Sequence, residues 1–298
     1  MNEQPYLSIL LPSYNNRCYP LVHALKQQAD AIGGLRYEII VADDGSRDQV
    51  AVISNYLINE LEYCRYIRRH ENVGRSRIRN FLISEAKGEW LLFLDSDLSI
   101  VRDDFLSKYL THANETALID GGVTIIGDSK VMRHNLRFCY EQKSEPLLTA
   151  EKRNLSPYQH IRTTNLLVPR SVMMANPFDE RVTHYGYEDV LLGRQLQSSG
   201  INIVHIDNPI GIEKFETNDV FMSKTEESLR TLHHFSAELH DYSTLLLGLD
   251  RLKRYHLLPF IRLWHILSGN MERRNLLSKS PSLLFFKLYK IGYYTTLK

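Results

Sequence analysis

Asp95 and Asp97 follow directly on the apolar run Trp90-Leu91-Leu92-Phe93-Leu94. Five apolar residues in a row read as a strand buried on both faces. The carboxyl end of such a strand is where α/β sheets bind their ligands. Residues two apart on an extended chain point to the same side, so Asp95 and Asp97 can present two carboxylates to one divalent cation. Hard cations held by one or two carboxylates keep their remaining positions for water and phosphate oxygens. The competing reading of Asp95-Ser96-Asp97 is a polar turn capping the next helix, because Asp and Ser are favoured caps.

Other clusters stand at equivalent places. Ser8-Ile9-Leu10-Leu11-Pro12-Ser13-Tyr14-Asn15 ends the first strand with Pro12 and with a Tyr14 ring that can stack on a base. Val41-Ala42-Asp43-Asp44-Gly45-Ser46 ends the second; its Asp-Gly-Ser also suits a tight turn and helix cap. The stretch from Asn72 to Asn80 opens a helix, whose N-terminus attracts phosphate, and carries Arg75, Arg77 and Arg79. Gly74 just before it permits close backbone approach to a ligand. Further on, Gly186-Tyr187-Glu188-Asp189-Val190-Leu191-Leu192 sets two acids at a helix start. The macrodipole alone favours acids there, but neighbours about 100° apart around a helix rarely serve one atom. Glu188 and Asp189 are therefore expected to have different tasks.

These clusters need strands and helices to hold them. Strands are predicted at residues 7–11 (stopped by Pro12), 38–42, 63–68, 90–94, 117–126, 164–168 and 201–206, with Gly121-Gly122 bending the fifth. Helices are predicted at residues 19–31, 49–61, 75–86, 103–112 and 188–196. The alternation implies an α/β fold, a mostly parallel sheet with helices on both faces. Residues 141–157 are polar and turn-rich and read as a loop or lid. From residue 218 the pattern is helical to about 247, where Gly248 can end it, and then continues in broken, basic, aromatic-rich helices. The expected division is a catalytic domain over residues 1–217 and a helical C-terminal extension over 218–298.

Composition narrows the function classes. The 298 residues carry 36 Lys+Arg against 35 Asp+Glu, so overall charge predicts no nucleic-acid partner. The distribution is uneven: residues 251–298 hold ten basic residues and one acid, Glu272. Three widely spaced cysteines, Cys18, Cys64 and Cys139, fit a reducing compartment. No apolar run approaches the roughly 20 residues of a membrane span. A cytoplasmic protein is expected, at most peripheral on the inner face of the plasma membrane.

In order and spacing, the five clusters resemble the family 2 glycosyltransferases, the inverting family with the GT-A (Rossmann-like) nucleotide-sugar fold. The similarity covers roughly residues 6–215. It implies that Pro12 and Tyr14 line the nucleobase pocket and that Asp43 or Asp44 bonds the base or ribose. It further implies that Gly74 admits the diphosphate and that Arg75 or Arg79 neutralises it, with Arg77 equally a solvated helix-face residue. Asp95-Ser96-Asp97 then serves the metal–diphosphate, Asp97 as direct ligand and Asp95 through the ribose or a water. Asp189 is the implied catalytic base and Glu188 an acceptor-binding or positioning group. The implied cofactor is Mn²⁺ or Mg²⁺, the donor a nucleotide-diphosphate sugar (UDP by family prevalence), and the acceptor a glycan or lipid-linked glycan of surface polysaccharide synthesis. The resemblance departs at Asn208-Pro209-Ile210-Gly211-Ile212, where relatives often carry a metal-binding His; His184 and His205 are the nearby imidazoles.

Other readings stay open beside this one. A sugar-nucleotidyltransferase also pairs carboxylates with a nucleotide, but would carry a Gly-rich basic loop after the first strand, and Pro12-Ser13-Tyr14-Asn15-Asn16 is not one. A non-catalytic nucleotide-sugar or glycan-binding module would be favoured by loss of the base or metal acid. The basic, aromatic tail, residues 282–294 above all, suits either a membrane interface or packing on the catalytic domain or a second subunit in a homo-oligomer.

Overall fold

The computed structural model of the protein describes residues 6–113 and 118–297. Residues 1–5 of the expected first domain, Ala117 of the expected fifth strand and Lys298 lie outside the described residues. Seven strands form the main sheet: β1 (Leu7–Ser13), β2 (Tyr37–Asp43), β3 (Cys64–Arg68), β4 (Trp90–Leu94), β6 (Leu118–Asp120), β8 (Asn165–Pro169) and β9 (Ile203–His205). Their order is β3-β2-β1-β4-β8-β6-β9. A small second sheet joins β5 (Leu98–Ser99), β10 (Ile210–Ile212) and β7 (Val123–Ile125) in the order β5-β10-β7.

The uninterrupted apolar strands are explained by what covers them. Ile9, Leu11, Ile39, Val41, Leu92 and Leu94 face one core with Leu21, Leu25, Phe105 and Leu106 of the helices Tyr19–Ala31 and Phe105–His112. Leu10, Ile40, Ala42, Leu91 and Phe93 face the other, against the helices Arg75–Glu85 and Glu188–Ser198. Period-two alternation thus needs apolar residues at every position of the central strands. Truncating such a side chain, Phe93 for instance, typically costs about 3–5 kcal/mol.

Several expectations are corrected. β1 runs on through Pro12 to pair Ser13 with Asp43 of β2. This is tolerable for a residue without an N–H because β1 pairs β4 only as far as Leu10. The strand expected over 117–126 is split at Gly121-Gly122 into β6 and β7, which belong to different sheets. A Cβ on Gly121 would lie 2.3 Å from the Tyr109 hydroxyl, so the chain turns there in a space only glycine fits. β8 runs antiparallel to both β4 and β6. The expected loop at 141–157 is largely helical, with Leu136–Ser144, Ala150–Asn154 and 3₁₀ turns at Glu145–Leu147 and Pro157–Gln159. Asn135 and Thr149 cap the two α-helices. Gly248 lies inside the helix Thr244–Arg254 rather than ending one, and the long helical stretch breaks earlier, after Asn218–His234.

Candidate active site

The carboxyl ends of β1, β2 and β4 converge with the starts of the helices Arg75–Glu85 and Glu188–Ser198. Asn15, at a left-handed φ of 53°, knits the first two ends together. Its N–H donates to Ser46 Oγ at 2.7 Å, and its Oδ1 accepts from the N–H of Arg47 and Asp48 at 2.8 and 3.0 Å. Tyr14 beside it is 46 % exposed, so its ring is presented to solvent, and Pro12 is half-buried beneath. Asn16 Nδ2 donates to the Ser96 carbonyl, fastening the loop after β1 to the Asp-Ser-Asp step.

The two acids after β2 divide their work. Asp43 is fully buried and accepts from the Ser46 N–H at 2.7 Å and from the Tyr66 hydroxyl. It holds the turn together and has no open path to a base or ribose, so that part of the expectation is corrected for Asp43. Asp44 accepts from the N–H groups of Val73 and Gly74 at 2.9 and 3.0 Å, fixing the loop that enters the next helix. Burial raises its carboxyl above the usual range despite those two bonds. Gly74 sits at φ 90°, a conformation that a side chain would strain.

Arg75 and Arg79, four apart, share one helix face and meet the downstream acids. Arg79 is 1 % exposed. Its guanidinium donates to Asp95 Oδ1 at 3.0 Å and to Glu188 Oε1 at 3.4 Å, with the Phe178 ring centroid 5.7 Å away. Arg79 is therefore a buried tie between two carboxylates and not an open phosphate contact, which corrects that expectation. Arg75 is more exposed; it donates to Glu188 Oε1 at 3.2 Å and stacks over the Tyr185 ring at 4.6 Å. Arg77 points away and pairs with the exposed Glu180.

Asp95 completes its bonding with Thr164 Oγ1 at 3.0 Å. Burial opposes its charge, but the Arg79 and Arg75 cations outweigh burial and hold its carboxyl below the usual range. Glu188 is governed likewise: burial resists ionisation, and Arg75 and Arg79 overcome it. Asp97 differs. It is exposed at the lip of the cleft and accepts from no other side chain among the described residues. Its carboxylate is the one with oxygens turned to solvent. Asp189 has Thr163 Oγ1 as donor at 2.6 Å. Burial first, and then the Glu188 charge beside it, push its carboxyl up to about 7. A carboxylate that titrates near neutrality suits a general base. Tyr187, at φ 68°, and Gly186, at φ 95°, make the bend that delivers the acid pair.

His184 and His205 are engaged elsewhere. His205 is buried in β9 with Nε2 3.0 Å from the Pro157 carbonyl, and His184 lies 3.3 Å from Glu227. No group of three or more His, Cys, Asp or Glu side chains among the described residues could hold a metal ion. Thr163 and Thr164 escaped the sequence reading. Their signal is only a polar pair at the start of a strand, and its meaning depends on the antiparallel course of β8 beside β4.

Known proteins share this arrangement. The model of "Glycosyl transferase family 2" matches residues 8–173. An uncharacterised glycosyltransferase of Haemophilus influenzae is 31 % identical over 120 residues, 39 % of this chain and 46 % of the relative; the match thus spans less than half of that protein. Among solved structures, Staphylococcus aureus TarS 1–349 in complex with UDP superposes with a TM-score of 0.54 at 18 % identity, covering 98 % of this chain and 89 % of that one. The mannosyltransferase PcManGT of Pyrobaculum calidifontis, in complex with GDP-Man and Mn²⁺, gives 0.57 at 13 % identity over 99 % and 86 %. The family match over more than half of the sequence and the shared fold agree with the ordered strand-end clusters: the chain belongs to glycosyl transferase family 2 and is a glycosyltransferase of the GT-A fold.

Proposed function

We propose that this chain moves a sugar, with inversion at the anomeric carbon, from a nucleotide-diphosphate donor to a hydroxyl of a glycan or lipid-linked acceptor in surface polysaccharide synthesis. The observation that carries the reading is one bonded network. Asp95, behind the donor end of β4, is joined through Arg79 to Glu188, and Asp189 follows at once with a carboxyl near neutrality. A single displacement needs one base on the acceptor side and charge stabilisation on the leaving diphosphate. Asp189 takes the acceptor proton, and Thr163 orients its carboxylate. Glu188, ionised between two arginines, positions the helix start and, with Asp95, sets the field across the cleft. Tyr14 and Asp44 border the base pocket, while Gly74 and Arg75 approach the diphosphate.

The open carboxylate of Asp97 fits a hard cation, Mn²⁺ or Mg²⁺, whose remaining ligands are diphosphate oxygens and water, since no further protein ligand stands by. Such an ion supplies Lewis-acid stabilisation of the leaving group. The UDP preference is supported by family prevalence and by the UDP complex of TarS, whereas PcManGT carries GDP-Man. Among the described residues no helix is long and apolar enough to cross a membrane; a cytoplasmic site of action belongs to the same proposal.

Two measurements bear on this reading. Nucleoside diphosphate should raise the thermal midpoint only together with Mn²⁺ or Mg²⁺, and Asp97→Ala should abolish that joint shift; an unchanged shift would remove Asp97 from the site. Calorimetry with UDP, GDP and CDP should rank UDP first, and tighter GDP binding overturns the donor assignment. Product stereochemistry, read by NMR, must be inverted.

A further inference from the structure

The C-terminal helices divide their apolar residues unequally. The helix Leu283–Thr296, which the sequence marked as a candidate membrane segment, faces inward. Phe286 and Tyr289 are buried, and Tyr289 donates to Glu226 Oε1 at 2.7 Å on the helix Asn218–His234. Its Gly292 packs so closely on the helix Leu258–Leu276 that a Cβ would fall 2.6 Å from the Cβ of His265. The helix Leu258–Leu276 therefore uses His265, Glu272 and Leu276 for packing and turns its other side outward. Phe260, Leu263, Trp264, Ile266, Leu267 and Met271 are between 46 % and 76 % exposed. Five of the six recur at spacings of three and four, one stripe of the helix. A contiguous run of large exposed apolar side chains marks an interaction surface.

Charge indicates what this surface meets. Arg251, Lys253, Arg254, Arg262, Arg274 and Lys279 are exposed and have no carboxylate partner among the described residues. The one acid of residues 251–298, Glu272, is fully buried and accepts from Trp264 Nε1 at 2.7 Å, with His265 Nδ1 at 3.1 Å. The negative charge is thus turned into the protein, and this face of the helix offers solvent only apolar and cationic groups. Arg274 stands three positions beyond Met271, and Arg262 four before Ile266, so cations edge the apolar stripe itself.

We infer that the outward face of the helix Leu258–Leu276 docks on an anionic lipid bilayer surface, lying in the interface plane with its aromatic and aliphatic side chains in the headgroup–acyl boundary. A protein partner or a second copy would need acids opposite six cations, and a second copy would set like charges against each other. An anionic bilayer satisfies both features at once. The assignment stands apart from the transfer reaction and needs neither donor nor acceptor.

The test is co-sedimentation of the full chain with vesicles of phosphatidylcholine carrying about one third phosphatidylglycerol. Binding is expected to these vesicles, to be weakened by salt, and to be absent with phosphatidylcholine alone. Trp264 emission should shift to the blue on binding; the other tryptophan, Trp90, is already buried and reports no change. The pair Phe260→Glu and Leu267→Glu should lower partitioning by at least about tenfold, and Arg254→Gln or Arg262→Gln by about fivefold each. The arginine variants touch no packing contact and keep the test valid if the double variant folds poorly. No binding to the anionic vesicles, undiminished binding of the arginine variants, or an oligomer that Leu267→Glu disperses in the absence of lipid overturns the inference.

Discussion

Asp189→Asn should abolish sugar transfer almost completely while leaving metal–nucleotide binding close to that of the parent. The carboxylate lies beside the Glu188–Arg75–Arg79 cluster and has Thr163 as its side-chain donor, so its removal spares the Asp97 lip and the Tyr14 side of the cleft. General-base assistance is typically worth about 10²–10⁴-fold, and a loss of only a few-fold removes Asp189 from that role. The pH profile gives a second reading. A base must be unprotonated to act, and this carboxyl is raised to about 7 by burial and by Glu188. The parent's kcat/KM should therefore fall as pH drops through that value. Stability runs the opposite way. The folded protein holds this proton more tightly than the unfolded chain, so the favourable contribution is complete below the unfolded value near 4. It is lost as pH rises to about 7. The neutral Asn removes that penalty, and the inactive variant should melt no lower than the parent at pH 8. Glu188→Gln differs: it breaks two arginine contacts, so it should lower stability and cost less in turnover at saturating acceptor.

The parts of this site that were legible in the sequence are local ones. Strand ends followed by Asp-Asp-Gly-Ser, by Asn-Val-Gly and by Asp-Ser-Asp announce themselves because a buried strand needs a continuous apolar run and its exit needs turn residues. The helix Tyr19–Ala31 falls on the expected residues for the same reason. What the sequence hid depends on distant partners. Nothing within residues 164–169 says that β8 runs antiparallel to β4, yet that direction brings Thr163 and Thr164 to Asp189 and Asp95. Nor does the spacing of Arg75, Arg77 and Arg79 reveal which is buried; the helix period places 75 and 79 together, and only the position of Glu188 decides that this face is the inner one. The short helices between residues 136 and 154 escaped because their polar composition suits a loop, and single caps at Asn135 and Thr149, with packing of Leu136 and Phe138, tip the balance.

Arg79→Met should destabilise the protein by about 3–5 kcal/mol, because removing one partner of a buried ion pair leaves the other charge uncompensated. Methionine keeps the length and much of the volume of the stem, so the loss reports charge more than a cavity. Arg75 still meets Glu188 at 3.2 Å, and Thr164 still donates to Asp95, which sets the expected value at the lower end of that range. The pH dependence separates this origin from lost packing. Asp95 and Glu188 are held below their usual range by Arg79 and Arg75. In the parent they contribute stability above the unfolded value near 4, and that contribution fades as pH falls through the depressed folded value. Without Arg79 the two carboxyls protonate more readily, so the difference between variant and parent should be largest at neutral pH and shrink below about pH 4. Adding Glu188→Gln in the Arg79→Met background should recover part of the loss, since a neutral amide does not need the missing cation. Chemical denaturation of the parent and both variants at pH 7 and pH 4 measures all of this. If Arg79 instead served mainly as an open contact to diphosphate, Arg79→Met would melt with the parent and lose nucleotide affinity alone, and the tie between the two acid motifs would have to be abandoned.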